Sequence, residues 1–272
     1  MASGQAPGAW RIKLGGVDFA ALLSYARAHP ADFREGSHIG EADAEHVNLW
    51  GFGALLADGH AEGLLSLVRT EMHLAGWPRR GEAVVNVTRV PAGHPDSDWA
   101  AGAFVALSRQ VLELARWFRL TVPGCGNAYI AAVADRIGVR ESRRIVGEYT
   151  LTRGDVLAAA RFDDAVARAA FPIDIHAADQ PTLSHTEQFS QAYDIPYRCL
   201  VAAGVDNVLV AGRCISTTQE ANGSARITAT CFATGEAAGL AAALVARTGS
   251  AARNLDYAHL RQHLRSRGAL LG

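Results

Sequence analysis

The amino-acid sequence predicts an α/β fold on three observations. Helical and strand-like hydrophobic periods intermix through residue 190. Residues 208–211 (VLVA) are an unbroken apolar run closed by Gly212, the pattern of a strand buried on both faces of a parallel sheet. After a polar loop, residues 225–248 are dense in alanine and glycine, with Gly235 and Gly239 about one turn apart on a helix whose backbone a neighbour can approach closely.

The elements follow in order. Residues 10–14 (WRIKL) read as a strand, Gly15 and Gly16 turn the chain, and Asp18 caps a helix with Phe19, Leu22, Leu23 and Ala26 on one face. Pro30 ends that helix. Residues 84–90 (VVNVTRV) read as a strand. Over 98–119, Phe104, Leu107, Val111, Leu112, Ala115 and Phe118 recur at three- and four-residue steps and predict a core-facing helix. Asn127 and Gly138 bracket a further predicted helix, and 139–149 alternates as a strand. Thr152 and Asp155 have capping-box spacing and open a helix expected to run to about residue 170, and Gly249 stops the last alanine-rich helix.

Bulk composition narrows the function. The chain has 272 residues, 49% hydrophobic and 19% charged, enough for one large domain or two small ones and unlike a disordered chain. Twenty-six basic side chains stand against 27 acidic ones, so charge selects neither nucleic acid nor an anionic membrane. The start, MASGQAPGAW, has neither the basic residues nor the apolar core of a secretory signal, and the apolar runs read as too short to span a bilayer, so a cytoplasmic location is expected. Cys125, Cys199, Cys214 and Cys231 form no C-x-x-C pair and read as buried free thiols.

Chemistry-bearing residues gather late in the chain. The loop 212–226 lies where open parallel sheets bind ligands, outside the carboxyl end of a strand and before a helix amino terminus. There Arg213 and Arg226 have the fork geometry for a pyrophosphate or a ring carbonyl, and the small run at 234–238 lets a flat ring lie on bare backbone; the same small residues suit tight helix-to-sheet packing. Asp174 and His176 share one face of a strand, an arrangement that holds an imidazole tautomer, or simply a satisfied histidine. Arg140, Glu141, Arg143 and Arg144 alternate as a charged strand suited to a salt-bridge network or to an anionic substrate. His259 and His263 stand four apart, a chelating spacing that a solvated helix face shares.

The stretches YDIPYRCLVAAGVDNVLVAGRCISTTQEANGSARITATCFATGEAAGLAAAL (193–244), GVRESRRIVGEYTLTRGDV (138–156), FPIDIH (171–176) and RIKLGGVDFAALLSYARAHPADF (11–33) resemble the FAD-dependent oxidoreductase family over nearly the whole chain. The resemblance implies an α+β substrate domain, 1–190, covering the flavin, and a segment, 191–272, that returns a strand and helix to a Rossmann-like FAD-binding domain. It implies FAD contacts at Gly212, Arg213, Cys214, Ile215, Arg226, Gly235, Glu236, Ala237 and Ala238. It also implies a substrate face near Tyr193, Tyr197 and Arg198, where Arg198 either grips a substrate carboxylate or docks domains, with His176 or a nearby tyrosine as proton acceptor. Glu236 stands where the family has glutamine, and Gln219 where a histidine is frequent.

The family's amino-terminal lobe carries G-x-G-x-x-G. Here the nearest strings, GFGALL (51–56) and GCGNAY (124–129), lack the third glycine and read as lacking a preceding strand. The expectation is a split enzyme: a hetero-oligomer in which a separate FAD-binding polypeptide supplies that lobe and a small polar molecule is oxidised. A non-catalytic subunit or a truncated flavoprotein is the alternative.

Overall fold

The structure is a computed structural model that describes residues 8–91, 96–175 and 191–271, and the backbone of 185–187. These fall into two compact units, one up to Arg140 and one from Glu141 onward.

The amino-terminal unit runs β1 (Gly8–Ala9), β2 (Arg11–Gly15), α1 (Phe19–Ala28), β3 (Val47–Gly51), α2 (Gly53–Ala61), β4 (Met72–Trp77), β5 (Glu82–Asn86), α3 (Ser97–Thr121), β6 (Tyr129–Val133) and β7 (Gly138–Val139). Five strands form an antiparallel sheet in the order β3-β4-β5-β2-β6, leaving β3 and β6 as edges, while β1 pairs with β7. Period-two alternation turns Ile12, Leu14, Val47, Leu49, Leu74 and Val85 to one face. That face forms a single core with Leu22 and Leu23 of α1 and Leu107, Leu114, Trp117 and Phe118 of α3. The Asp18 carboxylate caps α1 as expected, accepting from the amides of Ala20 at 2.9 Å and Ala21 at 3.2 Å.

Three expectations for this unit need correction. The buried face of α3 is Ala103, Leu107, Val111, Leu114, Trp117 and Phe118; Phe104 and Leu112 point outward, at 56% and 73% exposure. The apolar residues of α3 occupy more than one stripe, and periodicity alone does not say which stripe meets the sheet. The segment expected to be helical between Asn127 and Gly138 is instead the edge strand β6, because β2 offers it a ladder, from Gly15 opposite Tyr129 to Ile12 opposite Val133. The strand expected at 84–90 starts earlier, at Glu82, and beyond Asn86 the Thr88 hydroxyl replaces ladder bonds, accepting from Trp10 N and donating to Trp10 O, each at 2.8 Å.

The carboxy-terminal unit runs α4 (Arg153–Leu157), β8 (Ala165–Ala169), β9 (Ile173–Ile175), β10 (His185–Glu187), β11 (Tyr193–Pro196), α5 (Gln219–Ala225), α6 (Thr228–Thr248) and α7 (Tyr257–Ser266). β8 pairs antiparallel with β11, and β9 with β10. A boundary at 190 would cut the first of these pairs, and the compact unit begins at 141. The capping box of α4 is present, with Asp155 N donating to Thr152 Oγ1 at 3.2 Å and Thr152 N to Asp155 Oδ2 at 2.8 Å. The helix nevertheless stops at Leu157, and 165–169 becomes a strand because β11 pairs with it.

Residues 139–149 are not a strand beyond Val139. Nor do 208–212 form a parallel strand. That run folds back on 200–202, with Val210 N donating to Leu200 O at 2.9 Å and an antiparallel bridge from Val201 to Leu209. No parallel neighbour exists for it among the described residues, and Val208 stays 42% exposed. The expected helix 225–248 stands as the single helix α6, starting at Thr228, and the polar loop before it holds the further short helix α5. Arg226 caps the carboxyl end of α5 instead of opening α6, whose N-cap is Ile227; Gly249 closes α6 in the left-handed region, φ +67°. At 21 residues α6 is long and apolar enough to cross a membrane by length and composition, which revises the expectation that no segment is. Its Thr230, Thr234, Ala237, Ala241 and Leu244 are buried, while most of the helix surface is exposed.

Candidate functional site

The polar centre of the carboxy-terminal unit is built where 141–144, the 212–219 turn and α5 meet. Because 141–144 is not a strand, Glu141 and Arg144 are not separated as alternation would require. They form a buried ion pair, Arg144 Nη1 to Glu141 Oε2 at 3.2 Å. Arg144 Nε also donates to Thr217 O at 3.1 Å, and Gln219 Nε2 donates to Glu141 Oε1 at 3.1 Å, so the residue at 219 holds the carboxylate in place. Burial raises the Glu141 carboxyl above its ordinary pKa, with Arg144 and Arg226 pulling it back. Arg226 donates to the Asp174 carbonyl at 3.0 Å, and burial, the largest cause, lowers its pKa. Gly223 makes the approach of α5 to β9 feasible: a Cβ there would lie 2.9 Å from Asp174 O.

The turn itself is polar and accessible. Gly212, at φ +69°, donates its amide to Thr234 Oγ1 at 3.0 Å, which ties the turn to α6. Arg213 and Cys214 are exposed, so Cys214 is not the buried thiol expected, whereas Cys125 and Cys199 are buried. Ile215 is sealed beneath the turn. Along α6 the expected cofactor residues divide by face. Ala237 is in the core and Ala238 half-buried, while Gly235 and Glu236 are exposed, Glu236 pairing with Arg267 at 3.2 Å. That pairing keeps the carboxylate at the surface.

The expected catalytic residues are placed differently. His176 lies outside the described residues. Tyr193 is fully buried and its hydroxyl meets Ser224 Oγ at 2.7 Å; burial pushes the phenol up to about 12. Tyr197 is equally buried and donates to Ala252 O at 3.0 Å, with its pKa raised by burial. The family resemblance put both tyrosines on a substrate face; in this unit each is sealed in the core, Tyr193 on β11 and Tyr197 just after it. The Arg198 guanidinium is held in bidentate fashion by Asp164, Nε to Oδ2 at 3.0 Å and Nη2 to Oδ1 at 3.2 Å, with the Tyr149 ring 5.3 Å away. This is a tie within the carboxy-terminal unit, which is neither the substrate grip nor the docking between domains expected for it. His259 and His263 lie on α7 away from its buried Leu260 and Leu264, with Nε2 atoms 2.9 Å apart, and no cluster of three metal-ligating residues occurs among the described residues.

Sequence reasoning missed two features. GFGALL does follow a strand and open a helix, β3 and α2. Yet Asp32 occupies the donors that a phosphate would use: its Oδ1 accepts from Ala54 N at 2.7 Å, and a Cβ on Gly51 would lie 2.0 Å from Asp32 O. The string is a side-chain-capped corner and not a pyrophosphate loop. The second is His73, whose ring stacks on Trp50 at 4.1 Å and whose Nε2 meets Asn48 Oδ1; burial, then Arg11 and His46, lowers its pKa to about 4. A lone histidine in an alternating strand carries no sequence signal of this kind.

A flavin edge can be tested against this surface. The amino end of α6 has no side-chain cap, so its first amides are open to an acceptor. Gly235 has no atom within 4 Å of where a Cβ would stand, which leaves its backbone bare. The buried oxygens Thr217 Oγ1 and Asn222 Oδ1, beside the turn, have no hydrogen-bond partner. The residues present therefore fit one polar edge of a flavin, and among the described residues no glycine loop holds its pyrophosphate. No curated protein and no solved structure matches the chain. Residues 26–264 match the family described as FAD dependent oxidoreductase, and the chain belongs to that family, with FAD as its cofactor.

Proposed function

We propose that this chain is the flavin-covering and carboxyl-terminal part of a split oxidoreductase, in which a separate polypeptide bearing G-x-G-x-x-G binds the adenosine and pyrophosphate and the pair oxidises a small polar molecule by hydride transfer. One observation carries the reading. The return segment 205–212 and the outer stripe of α6 are apolar yet exposed, with Phe232 75%, Val205 48% and Val208 42% exposed and Gly235 and Gly239 bare. A valine-rich segment without a parallel neighbour, beside a helix with a small-residue outer face, supports docking against another chain's parallel sheet.

When bound, FAD supplies the electron-accepting ring. This chain's α6 amides and the turn at Gly212, Arg213 and Cys214 orient its polar edge, with Gly235 and Ala238 shaping the wall and the sealed Ile215 and Ala237 packing behind it. Arg226, turned inward, and Glu236, paired with Arg267, support that wall without touching the ring. His176 takes the substrate proton.

Co-expression with a G-x-G-x-x-G polypeptide tests the reading. The expected result is a yellow complex whose visible absorbance bleaches with substrate, and Gly235→Leu, harmless to an exposed helix position, abolishes the complex while leaving the chain's circular dichroism unchanged. A yellow, active preparation of this chain alone would overturn it. His176→Ala should slow bleaching far more than it loosens FAD; equal loss of both rejects the histidine's role. The internal satisfaction of Tyr193, Tyr197 and Arg198 favours a second reading, a subunit that binds the partner lobe without turnover, and a complex that holds flavin but never bleaches would select it.

A further inference from the structure

In the amino-terminal unit, an elongated groove runs between the outer face of α3 and the free edge strand β6. It comprises two hollows, each lined by α3 on one side and by β6 on the other. One, of about 620 Å³, is lined by Arg116, Arg119, Leu120 and Tyr129 among others; the second, of about 440 Å³, is lined by Phe104, Leu112, Val133 and Asp135 among others. Large apolar side chains stand out along it, Leu112 at 73% exposure, Leu120 at 65% and Tyr129 at 61%, with Arg116 and Arg119 beside them in the first hollow. β6 (YIAAV) carries no charge or proline to guard the edge. Patches of this kind mark interaction sites.

The charges say what fits there. Arg116 and Arg119 line one end and Asp135 the other, and none of the three forms an ion pair within the chain among the described residues. A surface with opposite charges at its two ends is complementary to itself after a half-turn. We propose that this groove is the interface of a two-fold homodimer, in which α3 crosses its symmetry mate antiparallel near Leu112. Phe104 of each copy then meets Leu120 of the other, and Arg116 and Arg119 of each meet Asp135 of the other. The seam is made by side chains and not by extending the sheet, because the β6 ladder is bulged between its pairings at Ile130 and Ala132, and a bulge twists an edge out of register for another strand.

The full chain, measured by sedimentation equilibrium, is expected at twice its 28.8 kDa mass. Leu112→Glu, at an outward position that leaves the core untouched, should raise the dimer dissociation constant at least tenfold, roughly the loss seen on altering one well-packed interface residue. Arg119→Glu should weaken the dimer, and Arg119→Glu with Asp135→Arg should restore it. A monomer at every concentration examined, a dimer indifferent to Leu112→Glu, or a charge swap that fails to rescue would each overturn the proposal.

Discussion

The two units draw on the same means in different proportions: the amino-terminal unit also buries Arg69, Glu71 and Arg89, but sets them beside a larger apolar core. The amino-terminal unit has a sheet of five- and six-residue strands under a helix of 25 residues, and its largest sealed side chains include Trp117, Phe52, Phe118 and Ile12. The carboxy-terminal unit has strands of three to five residues and an alanine-rich helix core, and it ties its backbone with buried charge. Besides Glu141 and Arg144, Asp164 grips Arg198, and the buried Asp194 accepts from Arg161 at 2.9 Å. Packing stabilises in proportion to area and tolerates local change, whereas a buried ion pair adds little net stability and penalises the loss of one partner heavily. The first unit is accordingly a scaffold, and the second is shaped around polar groups held in position.

All five tryptophans lie at or before Trp117, in the amino-terminal unit, so their emission follows that unit alone while circular dichroism follows both. The comparison breaks first at Trp117, whose Nε1 donates to Leu55 O at 3.2 Å and whose ring fills the space that Gly59 leaves. Trp117→Ala should cost about 3–5 kcal/mol in the tryptophan-reported urea transition. Arg144→Met should cost about 3 kcal/mol in the transition seen only by circular dichroism, since it strands Glu141 in the core. Loss of tryptophan-reported stability in Arg144→Met would show that the units do not unfold separately.

Acid sharpens the contrast, because one buried group in each unit, His73 and Glu141, is shifted in opposite directions. His73 is lowered to about 4 by burial, so its contribution is complete above about 6.5 and is lost as pH falls through about 4. Glu141 is raised by burial, so its contribution is complete below the ordinary glutamate range and is lost as pH rises through its folded value. Tryptophan-reported midpoints should fall on acidification from neutral pH, less so in His73→Gln, whereas Glu141→Gln should flatten the alkaline-side decline of the other unit. The smallest effect is Thr152→Ala, about 1 kcal/mol from the lost cap of α4, read as a small shift in the circular dichroism midpoint.

Local rules were read correctly where they decide the outcome locally. The Asp18 cap, the Thr152–Asp155 box and the Gly249 stop involve residues within four positions of each other, and each stands in the structure. Family membership and FAD were also legible, because the motifs around 138–156 and 193–244 are long. The wrong readings share a cause. Local signals predict a helix at β6, the end of one at 165–169 and a core place for Leu112, and each outcome depends on a partner distant in sequence: β2, β11, and the sheet that chose the other face of α3.

What the sequence determined by itself was composition, caps, stops, the mixed α/β class and the kinship with flavin enzymes. Only the tertiary structure decided that Glu141 meets Arg144 and Gln219, that Tyr193 and Tyr197 face inward, that Arg198 belongs to Asp164, and that 208–212 turns back on 200–202. The physical reason is that caps and turns are settled by hydrogen bonds within one turn of chain, whereas the burial of a side chain and the pairing of a strand are settled by which distant surface arrives to exclude water.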